Sequence, residues 1–169
     1  MYYGKINDHD IANGTGVRVS LFVSGCRHHC PGCFNECAWD FEYGEPFTYF
    51  TIGEILNLLK PDYIDGLTIL GGEPFEYYNT SEVLRLIDWV RIKYRHKKTI
   101  WIYSGFTFEE LIKREDALVI LHSCDVLVDG RFIEAEKDIT LKFRGSRNQR
   151  IIDVQKSLET GEVVLWNLS

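Results

Sequence analysis

Cys26-Arg27-His28-His29-Cys30-Pro31-Gly32-Cys33, with Phe34-Asn35-Glu36-Cys37 directly behind it, carries the strongest chemical signal in the chain. Three cysteines at C-x3-C-x2-C spacing follow an apolar run in which Val17, Val19, Leu21 and Val23 alternate with Arg18, Ser20 and Phe22, as in a strand. The first expected strand therefore delivers the chain straight into a cysteine loop. A cubane cluster has four irons, and three close thiolates can ligate three of them from one loop, leaving one iron open. Pro31 fixes one φ, and Gly32 lets backbone approach a ligand closely.

Two other readings of the loop stand beside this one. With Cys37 the pattern becomes C-x3-C-x2-C-x3-C, enough thiols for a closed zinc site, to which His28 and His29 could add ligands. Zinc sites usually separate their ligand pairs by a longer stretch, whereas these four cysteines crowd one loop. A four-cysteine ferredoxin-type cluster is the remaining possibility, although a lone compact run of this spacing is not the ferredoxin pattern. Outside the ligand question, His28 and His29 read as polar loop residues.

The chain has 169 residues, 45% hydrophobic and 14% aromatic, which suits one domain spanning 1–169 with a real core. No apolar run reaches the roughly 18 residues of a membrane span, and Met1-Tyr2-Tyr3 does not open a signal peptide. A soluble, cytoplasmic protein is expected. Five cysteines, four of them clustered, fit metal binding in a reducing compartment better than a disulfide framework. Cys124, alone on an apolar stretch, reads as a buried structural thiol. A net charge of −6 argues against general nucleic-acid binding. Lys137, Lys142, Arg144, Arg147 and Arg150 nevertheless face a single acid, Asp138, between residues 137 and 150. That segment is either a solvated basic surface or a docking patch for an acidic partner.

Along the chain, Asn13-Gly14-Thr15-Gly16 reads as a turn before the first strand. Trp39, Phe41, Tyr43, Phe47, Tyr49 and Phe50 form an aromatic connector, either core packing or a wall around a ligand. Thr51-Ile52-Gly53-Glu54 reads as a capping box for a helix that Pro61 stops. Gly66 to Leu70 is a compact strand ending in Gly71-Gly72-Glu73-Pro74, where glycines permit close backbone approach and Glu73 offers a carboxylate to a cationic group. Asn79 with Glu82 is expected to cap a helix bearing Val83, Ile87, Val90 and Tyr94 on one face. Thr99 to Tyr103 is a third strand ending at Ser104-Gly105, Thr107 and Glu110 open another helix, and Ala117 to Leu121 is a short buried element of either type. Asp125-Val126-Leu127-Val128-Asp129-Gly130 is a fourth strand with a carboxylate at its end. Alternating strands and helices predict an α/β fold with a mostly parallel sheet, with Cys26, Gly71, Ser104 and Asp129 at strand C-termini, the edge where such folds bind ligands. Ile139 to Ser169 changes character and is expected to add strands at the sheet edge.

The C-x3-C-x2-C loop followed in order by Gly71-Gly72-Glu73-Pro74 resembles the radical S-adenosylmethionine superfamily. Trp39, Trp101-Ile102-Tyr103-Ser104-Gly105, Asp125 to Phe132 and Arg144 to Asp153, in so short a chain, resemble its small glycyl-radical-activating enzymes of the type that serves anaerobic ribonucleoside-triphosphate reductase. The resemblance implies an incomplete, side-open (β/α) barrel. It implies a [4Fe-4S] cluster on Cys26, Cys30 and Cys33, with S-adenosylmethionine on the open iron. It also implies reductive cleavage of that cofactor to methionine and a 5′-deoxyadenosyl radical, which takes a Cα hydrogen from a glycine of the reductase. No acid–base residue is required, because the radical comes from the cofactor. Gly32, Cys33 and Phe34 are expected beside the adenine, Gly71, Gly72 and Glu73 near the methionine amino group, and Ser104 and Asp129 near ribose, carboxylate or a cation. Cys37 is expected to stay off the cluster. The implied partners are the reductase, through its glycyl radical loop, and an electron donor such as flavodoxin, with neither nucleic acid nor membrane involved. A radical enzyme acting on a small molecule and a zinc-stabilised interaction module are the alternative functions.

Overall fold

The alternating run Val17–Val23 is a strand of the computed structural model, which describes residues 1–169. Seven strands form one sheet: β1 Tyr2–Asp10, β2 Val17–Val23, β3 Glu45–Pro46, β4 Ile64–Gly71, β5 Thr99–Tyr103, β6 Val126–Asp129 and β7 Arg150–Asp153, in the order β3-β1-β2-β4-β5-β6-β7. The four central strands β2, β4, β5 and β6 run parallel. The outer pairings are antiparallel, so the expected parallel sheet is flanked by reversed edges. The edge strand β7 falls in the segment expected to add strands, whereas β1, paired between β2 and the short edge strand β3, carries no apolar alternation.

Helices α1 Tyr49–Leu58, α2 Thr80–Tyr94, α3 Phe108–Leu111, α4 Glu115–Leu121 and α5 Val154–Thr160 fill the connections and the tail. Their buried residues, such as Ile52, Ile55, Val83, Ile87, Leu111, Ile120 and Val154, share one core with Val19, Leu21, Ile69, Ile102, Leu127 and Ile152 of the strands. The opposite sheet face buries Trp101, Val126, Val128 and Ile151 in a separate small cluster that contains no helical residue. The helices thus cover one face, as period-2 alternation with a single apolar helix layer requires.

On the helix-free face, Arg18 is fully buried with no carboxylate beside it. Its guanidinium donates instead to Thr68 Oγ1 at 2.7 Å, Thr99 Oγ1 at 2.9 Å and the carbonyls of Leu67 and Thr99, each at 2.9 Å. Burial pulls its pKa down to about 10, still well above neutrality. This donor fork knits β2, β4 and β5 together beneath the ligand edge.

Two helix starts differ from expectation. The residue preceding α1 is Thr48, whose N–H donates to Thr51 Oγ1 at 3.1 Å, so Thr51 lies inside the first turn. Asn79 precedes α2, but its buried side chain turns inward and donates from Nδ2 to the carbonyls of Ser24 at 3.0 Å and Glu73 at 3.1 Å. A buried amide must find partners. Here those partners brace the cysteine loop against the turn after β4. At α3 the expected box is present, with Thr107 Oγ1 accepting from Glu110 N–H at 3.2 Å. The ambiguous stretch around Ala117 to Leu121 is helical, and Cys124 is buried as expected.

Several carboxylates are held below their ordinary range. Burial pushes Asp10 up, but hydrogen bonds from the Asn13 and Ser20 side chains and the Ala12 N–H outweigh it, leaving it below 3.8. Bonding from Arg150 lowers Glu109 below 4.5, and Arg114 overcomes the effect of burial at Asp116 to take it below 3.8. Folded pKa values below the unfolded ones mean that the ionised forms stabilise the fold above the unfolded values and lose that contribution as pH falls through the folded ones. The urea midpoint is therefore expected to be flat above about pH 5 and to fall steadily below about pH 4, measured by far-UV circular dichroism.

Candidate cluster and cofactor site

Val23 pairs opposite Gly71, so the cysteine loop after β2 and the Gly-Gly-Glu turn after β4 leave the sheet side by side. Gly72 N–H donates to Val23 O at 2.7 Å and Glu73 N–H to Gly25 O at 2.8 Å, continuing the pairing past the strand ends. Together they frame a cavity of about 590 Å³ at the C-terminal edge of the parallel strands. Cys26, Cys30, Cys33, Phe34, Gly71, Gly72, Glu73 and Ser104 all line it. The sequence brought these eight residues to one place from three different strand ends.

Each of the three cavity cysteines has a backbone N–H near its sulfur. Burial pushes the Cys26 thiol up to about 11, partly offset by backbone N–H groups of His28 and His29 directed at its sulfur. Burial likewise raises Cys30, whose sulfur meets the Phe132 N–H. Asn35 N–H lies 3.4 Å from Cys33 Sγ. Backbone donors thus face each sulfur, the arrangement that favours a thiolate once a metal replaces its proton. Cys37 differs: it is exposed, lies outside the cavity wall, and its Sγ donates to Asn35 Oδ1 at 3.1 Å. No three or more His, Cys, Asp or Glu side chains are gathered closely enough to hold one metal ion. Three thiols around one cavity wall, each met by a backbone N–H, are a donor set that fits a cluster of several irons. Trp39 Nε1 and Arg144 Nε, on two further lining residues, are buried donors without partners, spare capacity for an acceptor-rich group.

Other expected residues sit differently. Gly32 is outside the cavity lining, at φ +74, and an added Cβ would stand 2.9 Å from the Glu134 carboxylate. Asp129 is also outside, at 1% exposure, and its oxygens are occupied by Phe108 N–H at 2.7 Å and by Arg150 Nε at 3.0 Å and Nη2. It lines a neighbouring polar cavity instead. Glu73 reaches the wall with a carboxylate that already has four protein donors.

His28 is no bland loop residue: its ring is buried, with Nε2 2.8 Å from Glu73 Oε2. His29 adopts φ +48 and stacks on Trp39 with ring centroids 4.2 Å apart. Nothing in the spacing distinguished these two histidines. The sequence also concealed the far wall, built by Arg131, Phe132, Lys137, Phe143, Arg144 and Gln149 of the long connection between β6 and β7. Phe132 packs against Phe34 at 5.0 Å between centroids, and Lys137 Nζ lies 5.3 Å from the Phe34 ring centre.

A three-cysteine loop over a cavity at the edge of an α/β sheet describes a single-cluster iron–sulfur protein, and residues 12–152 match the family model described as a 4Fe-4S single cluster domain. Proteins named anaerobic ribonucleoside-triphosphate reductase-activating protein are similar over most of the chain. The one from Enterobacteria phage T4 is 39% identical over 89% of this chain and 93% of its own length. Those of Escherichia coli K12 and Vibrio cholerae O1 are 39% and 40% identical, over 88% and 89% of this chain and 96% and 97% of their own. The chain belongs to this family of iron–sulfur activating proteins. No helix is long and apolar enough to cross a membrane.

Proposed function

We propose that this protein activates anaerobic ribonucleoside-triphosphate reductase by generating its glycyl radical, with a [4Fe-4S] cluster on Cys26, Cys30 and Cys33. The observation that carries the reading is the convergence of those three thiols with the Gly71-Gly72-Glu73 turn on one cavity, in a chain of this family. Cys26, Cys30 and Cys33 would hold the cluster, and its chemistry, when bound and reduced, would be one-electron reductive cleavage of S-adenosylmethionine, yielding methionine and the 5′-deoxyadenosyl group that would abstract the glycine Cα hydrogen.

The chain's own residues bind, orient and exclude water. Cys26, Cys30 and Cys33 hold the cluster, and Cys37 stays off it. Gly71 and Gly72 bring backbone to the methionine end, and Ser104 lies beyond them. Phe34, 71% exposed but backed by Phe132, offers a ring for the adenine at the mouth. Helices confined to one sheet face support a side-open relative of the (β/α) barrel. An open side suits a glycine carried on another protein's loop. One sheet taking strands from Tyr2 to Asp153 supports a single domain over 1–169, and five free cysteines fit a cytoplasmic location. An electron donor such as flavodoxin completes the scheme. With the reductase present as hydrogen donor, the anaerobically reconstituted and reduced protein is expected to convert added S-adenosylmethionine to 5′-deoxyadenosine and methionine in equal amounts; a loaded, reduced protein that cleaves none under these conditions would overturn the mechanism.

The basic residues between 137 and 150 fall into two groups. Arg150 is engaged by Asp129 and Glu109, and Arg144 Nη1 donates to Gln149 O at 2.6 Å. Lys137 lies over the Phe34 ring in the cavity wall, whereas Lys142 and Arg147 are exposed outside the cavity lining and have charge to offer a partner. Reversing both to Glu is expected to weaken reductase binding about tenfold or more at low salt, with the difference shrinking as salt is added. Unchanged affinity by titration calorimetry at low salt would leave the patch as a solvated surface.

A further inference from the structure

The turn after β4 holds the cysteine loop with side chains as well as backbone. Glu76, 5% exposed, accepts from the Arg27 N–H at 2.8 Å and from Arg27 Nη1 at 2.7 Å. Glu73, fully buried, uses both oxygens: Oε1 takes Phe75 N–H and Ser104 Oγ, each at 2.9 Å, and Oε2 takes His28 Nε2 and Gly105 N–H, each at 2.8 Å. Four donors fill the lone-pair sites of one carboxylate. His28 has nowhere else to go, since the Phe106 ring meets it edge-on at 4.5 Å and an added Cβ at Gly105 would stand 2.5 Å from its ring. Three loops, leaving β2, β4 and β5, are therefore tied at a single buried carboxylate inside the cavity wall.

We propose that Glu73 and His28 form a positioning pair that sets the cysteine loop for its cluster, and that the Glu73 carboxylate serves this role rather than binding the methionine amino group. The inference rests on the cluster reading above and assigns a specific task to two of its residues. Cys26 and Cys30 flank His28 at two residues on either side. Anchoring His28 at mid-loop fixes the direction in which both thiols leave the backbone. Substrate-side polar recognition then falls to backbone groups of the glycine turn, whose side of the cavity has no spare carboxylate oxygen.

The test uses the full chain, reconstituted anaerobically, with three single variants and one double. His28→Leu removes the donor and keeps bulk, His28→Gln restores a terminal N–H, and Glu73→Gln removes the acceptor charge. Two readouts are followed: the rate at which a chelator strips iron from the loaded protein, and the change in the reduced cluster's electron paramagnetic resonance spectrum when S-adenosylmethionine is added. His28→Leu and Glu73→Gln are each expected to lose iron about tenfold faster, as for other residues supporting a metal site. The double variant should be no worse than either, because both changes cut one tie. His28→Gln should come back to within about twofold of the starting protein. The fraction that stays loaded in every variant should still show the cofactor-induced spectral change.

Wild-type iron retention in His28→Leu would overturn the pair. So would a Glu73→Gln protein that keeps its cluster but loses the spectral change, since that result makes the carboxylate a cofactor ligand. If the leucine variant does not fold, a folded His28→Gln protein that sheds iron tenfold faster counts against the pair equally. An unmodified protein that takes up no cluster would instead mean the failure of the proposed function.

Discussion

Cys30→Ala is expected to abolish iron–sulfur loading and cofactor cleavage together, whereas Cys37→Ala leaves both at the level of the unaltered protein. The two cysteines lie seven residues apart in one loop, but their surroundings differ. Cys30 faces the cavity with the Phe132 N–H at its sulfur. Cys37 is exposed, spends its S–H on Asn35 Oδ1 and lies off the cavity wall. Were Cys37 a fourth ligand, no iron would remain open for the methionine amino and carboxylate groups. Iron, acid-labile sulfide and 5′-deoxyadenosine, measured on both variants, separate the cases. Loss of cleavage in Cys37→Ala would make the site a closed four-cysteine centre.

Gly72→Ala is expected to be nearly as damaging, through sterics alone. A Cβ at residue 72 would stand 2.7 Å from Gly25 O and 2.9 Å from Ala38 O, both backbone atoms that a rotamer change cannot move aside. Those carbonyls sit in the segments that lead into and out of the cysteine loop, where Gly25 N–H also donates to Ala38 O at 2.8 Å. Relieving the clash must separate the loop from the turn after β4, at a cost of about 3 kcal/mol, and must displace Cys26 from its place in the wall. Urea unfolding should show the loss of stability, and iron content after reconstitution the loss of the site. A stable, fully loaded Gly72→Ala protein would mean that the two segments are not as tightly apposed as described. Gly71 and Gly72 are thus accounted for by the close approach of β2 and β4 as well as by any ligand, a distinction that the sequence motif alone does not make.

The parallel centre of the sheet was legible because β2, β4, β5 and β6 are buried on both faces or alternate cleanly, and each ends in a glycine, serine or cysteine segment. Cavity residues Cys26, Gly71 and Ser104 followed directly, since parallel strands present their C-terminal ends together. The N-terminal strand was not legible: in Tyr2–Asp10 only Asp10 is buried, so an outer strand paired on the sheet shows no apolar period. Asn79 and Asp129 both have their side chains claimed by residues distant in sequence. Residue type predicts that a cap or a carboxylate will be used, but tertiary neighbours decide by whom, and here Ser24 and Glu73 claim the amide while Arg150 and Phe108 claim the carboxylate. His28 was concealed in the same way. Its partner lies 45 residues away, and nothing local to the cysteine loop marks a histidine that reaches across to the next strand end.

The whole account meets its sharpest test in an anaerobic mixture of the reconstituted, reduced protein, S-adenosylmethionine and the anaerobic ribonucleoside-triphosphate reductase, followed by electron paramagnetic resonance. A glycyl radical on the reductase that appears only when every component is present, matched by 5′-deoxyadenosine, is the predicted result. Cofactor cleavage with no radical on the reductase would contradict the assigned substrate and return the site to a small molecule. A colourless protein carrying stoichiometric zinc would contradict the cluster itself.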